Sequence, residues 1–101
     1  MQTFILLTRL SPEALRAPAA MEDFEKRAVT HIGQECPQVN WLHSYALMGP
    51  YDYLDIFTAP DFDAALKVSA MIRTFGRAHS EVWPATDWDN FKQIIRSLPA
   101  R

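Results

Sequence analysis

The 101 residues make one domain, long enough to enclose a core but too short for two. A net charge of −2 without a block of Lys or Arg excludes a surface built to follow a phosphate backbone. The single cysteine, Cys36, excludes an internal disulfide and a multi-cysteine metal site. Hydrophobic residues reach 49%, so some of this apolar surface is expected to be covered by a partner chain. The opening apolar run, Phe4-Ile5-Leu6-Leu7, has no basic segment before it and does not read as a signal peptide. No run is long enough to cross a membrane, and a soluble cytoplasmic protein is the expectation.

Residues 2–10 read as the first strand. Ser11-Pro12-Glu13 is a helix-start signal, and Pro18 limits that turn to a short piece. The first main helix is expected over residues 19–35, with Met21, Phe24, Ala28 and Ile32 forming one apolar stripe and Cys36-Pro37 ending it. Residues 39–48 and 51–59 read as a hairpin through a Gly49-Pro50 turn, where Gly tolerates positive φ. Ala59-Pro60-Asp61 stops the second of these strands and offers Asp61 as the N-cap of a helix over 61–75. Gly76 suits the left-handed position after that helix. Residues 79–85 read as the fourth strand. Thr86-Asp87-Trp88-Asp89 then resembles a capping box for a third helix to about residue 98. Trp88, Phe91, Ile95 and Leu98 line one face of it, so this helix should dock on its own sheet edge or on a neighbouring subunit.

The order is β-α-β-β-α-β plus a C-terminal helix. With right-handed crossovers it gives an α+β, ferredoxin-like domain with a four-stranded antiparallel sheet. All 101 residues belong to it, with 1–85 as the core and 86–101 as the docking helix. Strand alternation assigns an aliphatic face, with Leu42, Ala46, Leu54, Ile56 and Val82, to the helices. The other face then carries Trp41, His43, Tyr45, Tyr53, Asp55, Phe57, His79, Glu81 and Trp83. A second copy of the chain, packed sheet to sheet about a two-fold axis, is the expected cover for it.

Gly49-Pro50-Tyr51-Asp52, followed by the apolar strand and Ala59-Pro60-Asp61, resembles the signature of the GYD domain family. The Asp61-Phe62-Asp63-Ala64-Ala65 helix opening and the Phe75-Gly76 end support the resemblance, which covers residues 3–97. It implies a dimeric α/β-barrel in which two ferredoxin-like sheets face each other, and it brings no catalytic residue. Pro50 inside the turn departs from the pattern and stiffens the hairpin. Within the motif Gly49, Tyr51 and Asp52 read as structural: Gly49 shapes the turn, and Asp52 bonds turn amides.

Chemistry centres on Asp55, His43 and Tyr45, which the alternation places on one face of adjacent strands. Together with Trp41, Tyr53 and Trp83 they are the candidate ligand-binding residues. The leading expectation is a small hydrophobic or aromatic ligand held between sheet and helices. The alternative is a cofactor-independent enzyme of monooxygenase, isomerase or decarboxylase type, using Asp55, His43 and Tyr45 for proton transfer. That reading requires a pocket of about 300 Å³ or more containing both His43 and Asp55. His31, His43 and His79 share no ligand spacing, so no metal and no cofactor are expected, with haem the lesser alternative. Tyr51, Tyr53 and Phe57 mimic the stacking aromatics of an RNA-recognition domain. Asp52, Asp55 and the net charge argue against nucleic acid.

Overall fold

The run Phe4-Ile5-Leu6-Leu7 is apolar on both faces, as an inner strand requires. In the computed structural model, which describes residues 1–12, 18–75 and 78–100, that strand lies inside the sheet. Strand β1 (Gln2–Arg9) pairs antiparallel with β3 (Tyr53–Ala59) on one side and β4 (His79–Ala85) on the other. Strand β2 (Asn40–Ala46) flanks β3, so the sheet order is β2-β3-β1-β4. Helix α1 (Pro18–Glu35) connects β1 to β2, and α2 (Phe62–Phe75) connects β3 to β4. A third helix, α3 (Trp88–Arg96), ends the chain. This is the ferredoxin-like α+β architecture that the element order predicts.

The register decides which residues meet the helices. Phe4, Leu6 and Thr8 lie opposite Phe57, Asp55 and Tyr53 on β3, and opposite Pro84, Val82 and Ser80 on β4. Directly opposed residues share a face. Phe4 and Phe57 are fully buried and stack at 5.7 Å, beneath a layer that includes Ala65, Val68 and Ile72 of α2. Truncating either ring to Ala costs about 3–5 kcal/mol. Ser69 of α2 and Ser80 of β4 meet at 2.6 Å, which satisfies two hydroxyls inside this layer. The Cys36 thiol is buried beside the Met71 sulfur at 3.6 Å, and burial pushes its pKa up, away from the reactive range.

The assignment of β3 by alternation is therefore reversed. Its odd residues Tyr53, Asp55 and Phe57 face the helices, and its even residues Leu54 and Ile56 belong to the open face with Ile5 and Leu7. Both sets are apolar enough for either side, so alternation alone does not choose. The wide aromatic rings fill the space under the helices, and the aliphatic residues make the flat outer surface. In β2 a register shift between Trp41 and His43 splits the strand. Trp41 stands opposite Phe57 on the helix side. His43 and Tyr45 stand opposite Ile56 and Leu54 on the open side. The β4 assignment holds: Ser80 and Val82 face the helices, and Glu81 and Trp83 face out.

One turn and one cap also differ from expectation. The hairpin closes over residues 47–52, with the Leu47 N–H donating to the Asp52 carbonyl at 2.9 Å. Gly49 does not adopt the left-handed conformation, and a Cβ there meets nothing within 4 Å. Helix α3 is capped by Asp87, whose carboxylate accepts from the Asn90 N–H at 2.8 Å, and Thr86 accepts from the Asn90 side chain instead. Asp is the stronger cap and takes the position one residue later. Asp61 caps α2 as expected, accepting from the Ala64 N–H at 2.9 Å. Gly76 and Glu13 of the helix-start signal lie outside the described residues.

Helix α3 projects away from this layered body. None of its residues is buried, and no other element packs against it among the described residues. Its apolar residues Trp88 and Phe91 are 68% and 40% exposed. The helix is short and held by its own caps and one Lys92–Asp89 pair at 3.4 Å. An amphipathic helix of this length draws its stability from packing, which the other described residues of the chain do not supply.

Candidate functional site

Helix α1 crosses the β2–β3 end of the sheet through Phe24, which stacks parallel to Tyr53 with ring centroids 6.2 Å apart. The Tyr53 hydroxyl donates to the Met21 carbonyl at 3.3 Å and pins the helix to the strand. Beyond this contact the helix and sheet separate, because the β2 edge carries small residues, Ser44 and Ala46, on this side. The result is a cleft of about 220 Å³ lined on the sheet by Thr8, Trp41, Ser44, Tyr45, Tyr53 and Asp55. From α1 it is lined by Phe24, Glu25, Ala28, Val29 and Ile32, and from α2 by Ile72. A smaller cavity of about 150 Å³ adjoins it between α1 and α2, where Arg27, His31 and Met71 also contribute.

Asp55 is the chemical centre of the larger cleft. Burial pushes its carboxyl above the usual carboxylate range, and hydrogen bonds from Ser44 and Trp41 pull part of the way back. The Trp41 indole N–H also donates to the Ser44 hydroxyl at 2.8 Å, so these three groups form one network at the cleft wall. The Tyr53 phenol is pushed up as well, first by burial and then by the charges of Asp52, Glu25 and Asp55.

The candidate residues do not converge on one face. Trp41, Tyr53 and Asp55 line the cleft from the helix side, and Tyr45 borders it at the sheet edge with its register on the open side. His43 stacks on Tyr45 at 6.2 Å on the outer side of the edge strand, and Trp83 lies on the open face of β4, 47% exposed. The expected His43–Asp55 neighbourhood is thus not formed, because the register shift in β2 brings Ser44, not His43, opposite Asp55. Residues that sequence reasoning passed over are Glu25 and Ser44. Glu25 stands one position round from the Phe24 stripe, and four before Val29, a spacing that puts both along one helix edge.

The signature turn is a clamp rather than a site. The Asp52 carboxylate accepts from the Leu10 N–H at 2.8 Å, and the Asp52 N–H donates to the Thr8 carbonyl at 2.8 Å, which ties the hairpin to the end of β1. Tyr51 reaches over to β4, where its hydroxyl donates to Glu81 at 2.5 Å. His79 Nε2 at 2.9 Å and the Trp83 indole N–H at 3.3 Å meet the same carboxylate. The Tyr51 bond, then that of His79, holds the Glu81 pKa down at about 2. Tyr53 and Phe57 face the helices, and Phe57 is wholly buried, so these rings form no exposed platform for bases. Among the described residues no group of three or more potential ligands is placed to hold a metal ion, and no helix is long and apolar enough to cross a membrane.

A ferredoxin-like domain with a polar–aromatic cleft under one helix and an uncovered sheet face defines the class of protein. More narrowly, the chain belongs to the GYD domain family, whose model matches residues 4–95. No curated protein matches the chain.

Proposed function

We propose that this protein binds a small, single-ring aromatic or hydrophobic molecule in the cleft between the sheet and α1, and that it does so as a homodimer. The observation that carries the binding reading is the cleft itself, with a half-buried carboxylate set among aromatic walls. Binding sites are typically apolar cavities with a few placed polar groups, and this cleft has that composition. Its volume of about 220 Å³ suits a modest ligand. An engineered cavity of about 150 Å³ is enough for benzene. The enzymatic alternative lacks its acid–base pair within one chain, since His43 and Asp55 are on opposite faces. The cleft is also smaller than the pocket that reading requires.

The dimer reading rests on two unpartnered apolar surfaces carried by the same chain. Ile5, Leu54, Ile56 and Trp83 form one on the sheet, and Trp88, Phe91, Ile94, Ile95 and Leu98 form the other on and just past α3. Two copies related by a two-fold axis cover both surfaces at once.

The cleft is tested by plugging it. In Ala28→Phe a ring enters the space beside Phe24 and Tyr53. Calorimetric titration with a panel of single-ring aromatics should show binding to the native protein and at least about a ten-fold loss in the variant. Equal binding by the plugged variant contradicts the proposal.

A further inference from the structure

The two cavities beside α1 differ in the sign of their charges. The smaller one carries Arg27 and His31. The larger one carries two carboxylates, Asp55 and Glu25, and among the described residues no Lys, Arg or His contributes to its wall. Three aromatic side chains, Phe24, Trp41 and Tyr53, share that wall with them. The Asp55 carboxylate takes hydrogen bonds only from neutral donors, Ser44 and Trp41, and the ion pairs of the described residues involve other acids. A carboxylate half out of water with no counter-ion is costly to keep charged. A cation entering the cleft removes that cost, and aromatic faces attract the same charge.

Resting on the binding reading above, we propose that the ligand is a small organic cation: a primary or secondary amine on one aromatic or alicyclic ring. Its ammonium group sits on Asp55, within the field of Glu25. Its ring lies against Phe24, Trp41 and Tyr53, in a volume that leaves room for little more than one ring and a short linker. An anionic ligand of the same shape meets two like charges and, among the described residues of the wall, no compensating positive charge. A neutral one leaves Asp55 without a counter-ion.

Three probes of nearly equal shape separate the possibilities: benzylamine, benzyl alcohol and benzoate. Each is titrated into the full chain at pH 7 while backbone amide shifts are followed at Phe24, Ser44, Tyr53 and Asp55. Benzylamine is expected to bind at least about ten-fold more tightly than benzyl alcohol, with benzoate weakest. Asp55→Asn should bring benzylamine down to the level of the alcohol, and Glu22→Gln, which removes an exposed carboxylate of the same helix as Glu25 but outside the cleft, should preserve the preference. Retained amide dispersion in each variant shows that the fold is intact. Equal or tighter binding of the alcohol or of benzoate at these residues overturns the cation proposal and leaves the cleft as a binding site. Absence of shifts with all three probes overturns the cation proposal and the binding reading together.

Discussion

Two carboxylates in this small domain are pushed in opposite directions, and their effects on stability have opposite signs. Glu81 accepts from Tyr51 and meets His79, which brings its pKa from the usual 4.5 down to about 2. Its favourable contribution is present above pH 4.5 and is lost as pH falls from there toward 2. Asp55 is raised from the usual 3.8 by burial. The folded state holds its proton more tightly than the unfolded chain, so its contribution is fully present below pH 3.8 and fades as pH rises through the raised value. Urea denaturation across pH 2.5–7 should therefore show two distinct changes. Tyr51→Phe shallows the acid loss, while Asp55→Asn makes the unliganded protein more stable at pH 7 and leaves it nearly unchanged at pH 2.5. A variant Asp55→Asn that is less stable at pH 7 contradicts the assignment of burial as the dominant influence on that group. Asp55 is legible in the sequence as the residue of interest, because an acid between Leu54 and Ile56 in mid-strand needs donors. Its donors are not legible. They come from Trp41 and Ser44, whose side of the strand depends on a shift in register that leaves no mark such as Gly or Pro in the sequence.

At the scale of elements, order and type follow from the sequence with little ambiguity. Helix ends are set by Asp61, Cys36-Pro37 and Asp87, and the central strand is marked by its two-sided apolar run. The facing of β3 is another matter. With Tyr53, Asp55 and Phe57 on one side and Leu54 and Ile56 on the other, each side has enough apolar area to be inner or outer. The decision is made by Phe4 and by the helices packing over Phe57, which are contacts distant in sequence. Helix α3 poses the complementary case: its amphipathic pattern is plain, and the other described residues of the chain leave its apolar side uncovered. Placing a charge on either exposed apolar surface should break the proposed dimer. Light scattering after gel filtration is expected to give twice the chain mass for the native protein and a single chain mass for Ile56→Lys. Phe91→Asp should weaken association by about 100-fold or more, as the cost of burying an unpaired charge implies. A native protein that is monomeric at high micromolar concentration contradicts the dimer outright.

The whole molecule is longer than its size requires. The Cα radius of gyration is 15.7 Å, against about 13 Å for a compact domain of 100 residues. The extents of 55 × 30 × 19 Å show a thin body, consistent with a sheet covered on one side only and a helix that leaves it. We assign its two sheet faces different work: the helix side holds a ligand, and the open side meets a second copy. Isoleucine residues mark both, with Ile32 and Ile72 lining the cleft and Ile5 and Ile56 on the open face. The most direct measurement is a methyl spectrum of isoleucine-labelled protein, recorded while benzylamine is added at constant protein concentration. Saturable shifts of Ile32 and Ile72 are expected, with Ile5 and Ile56 unmoved. Shifts confined to Ile5 and Ile56, or none at Ile32 and Ile72 at millimolar ligand, contradict this division of the two faces.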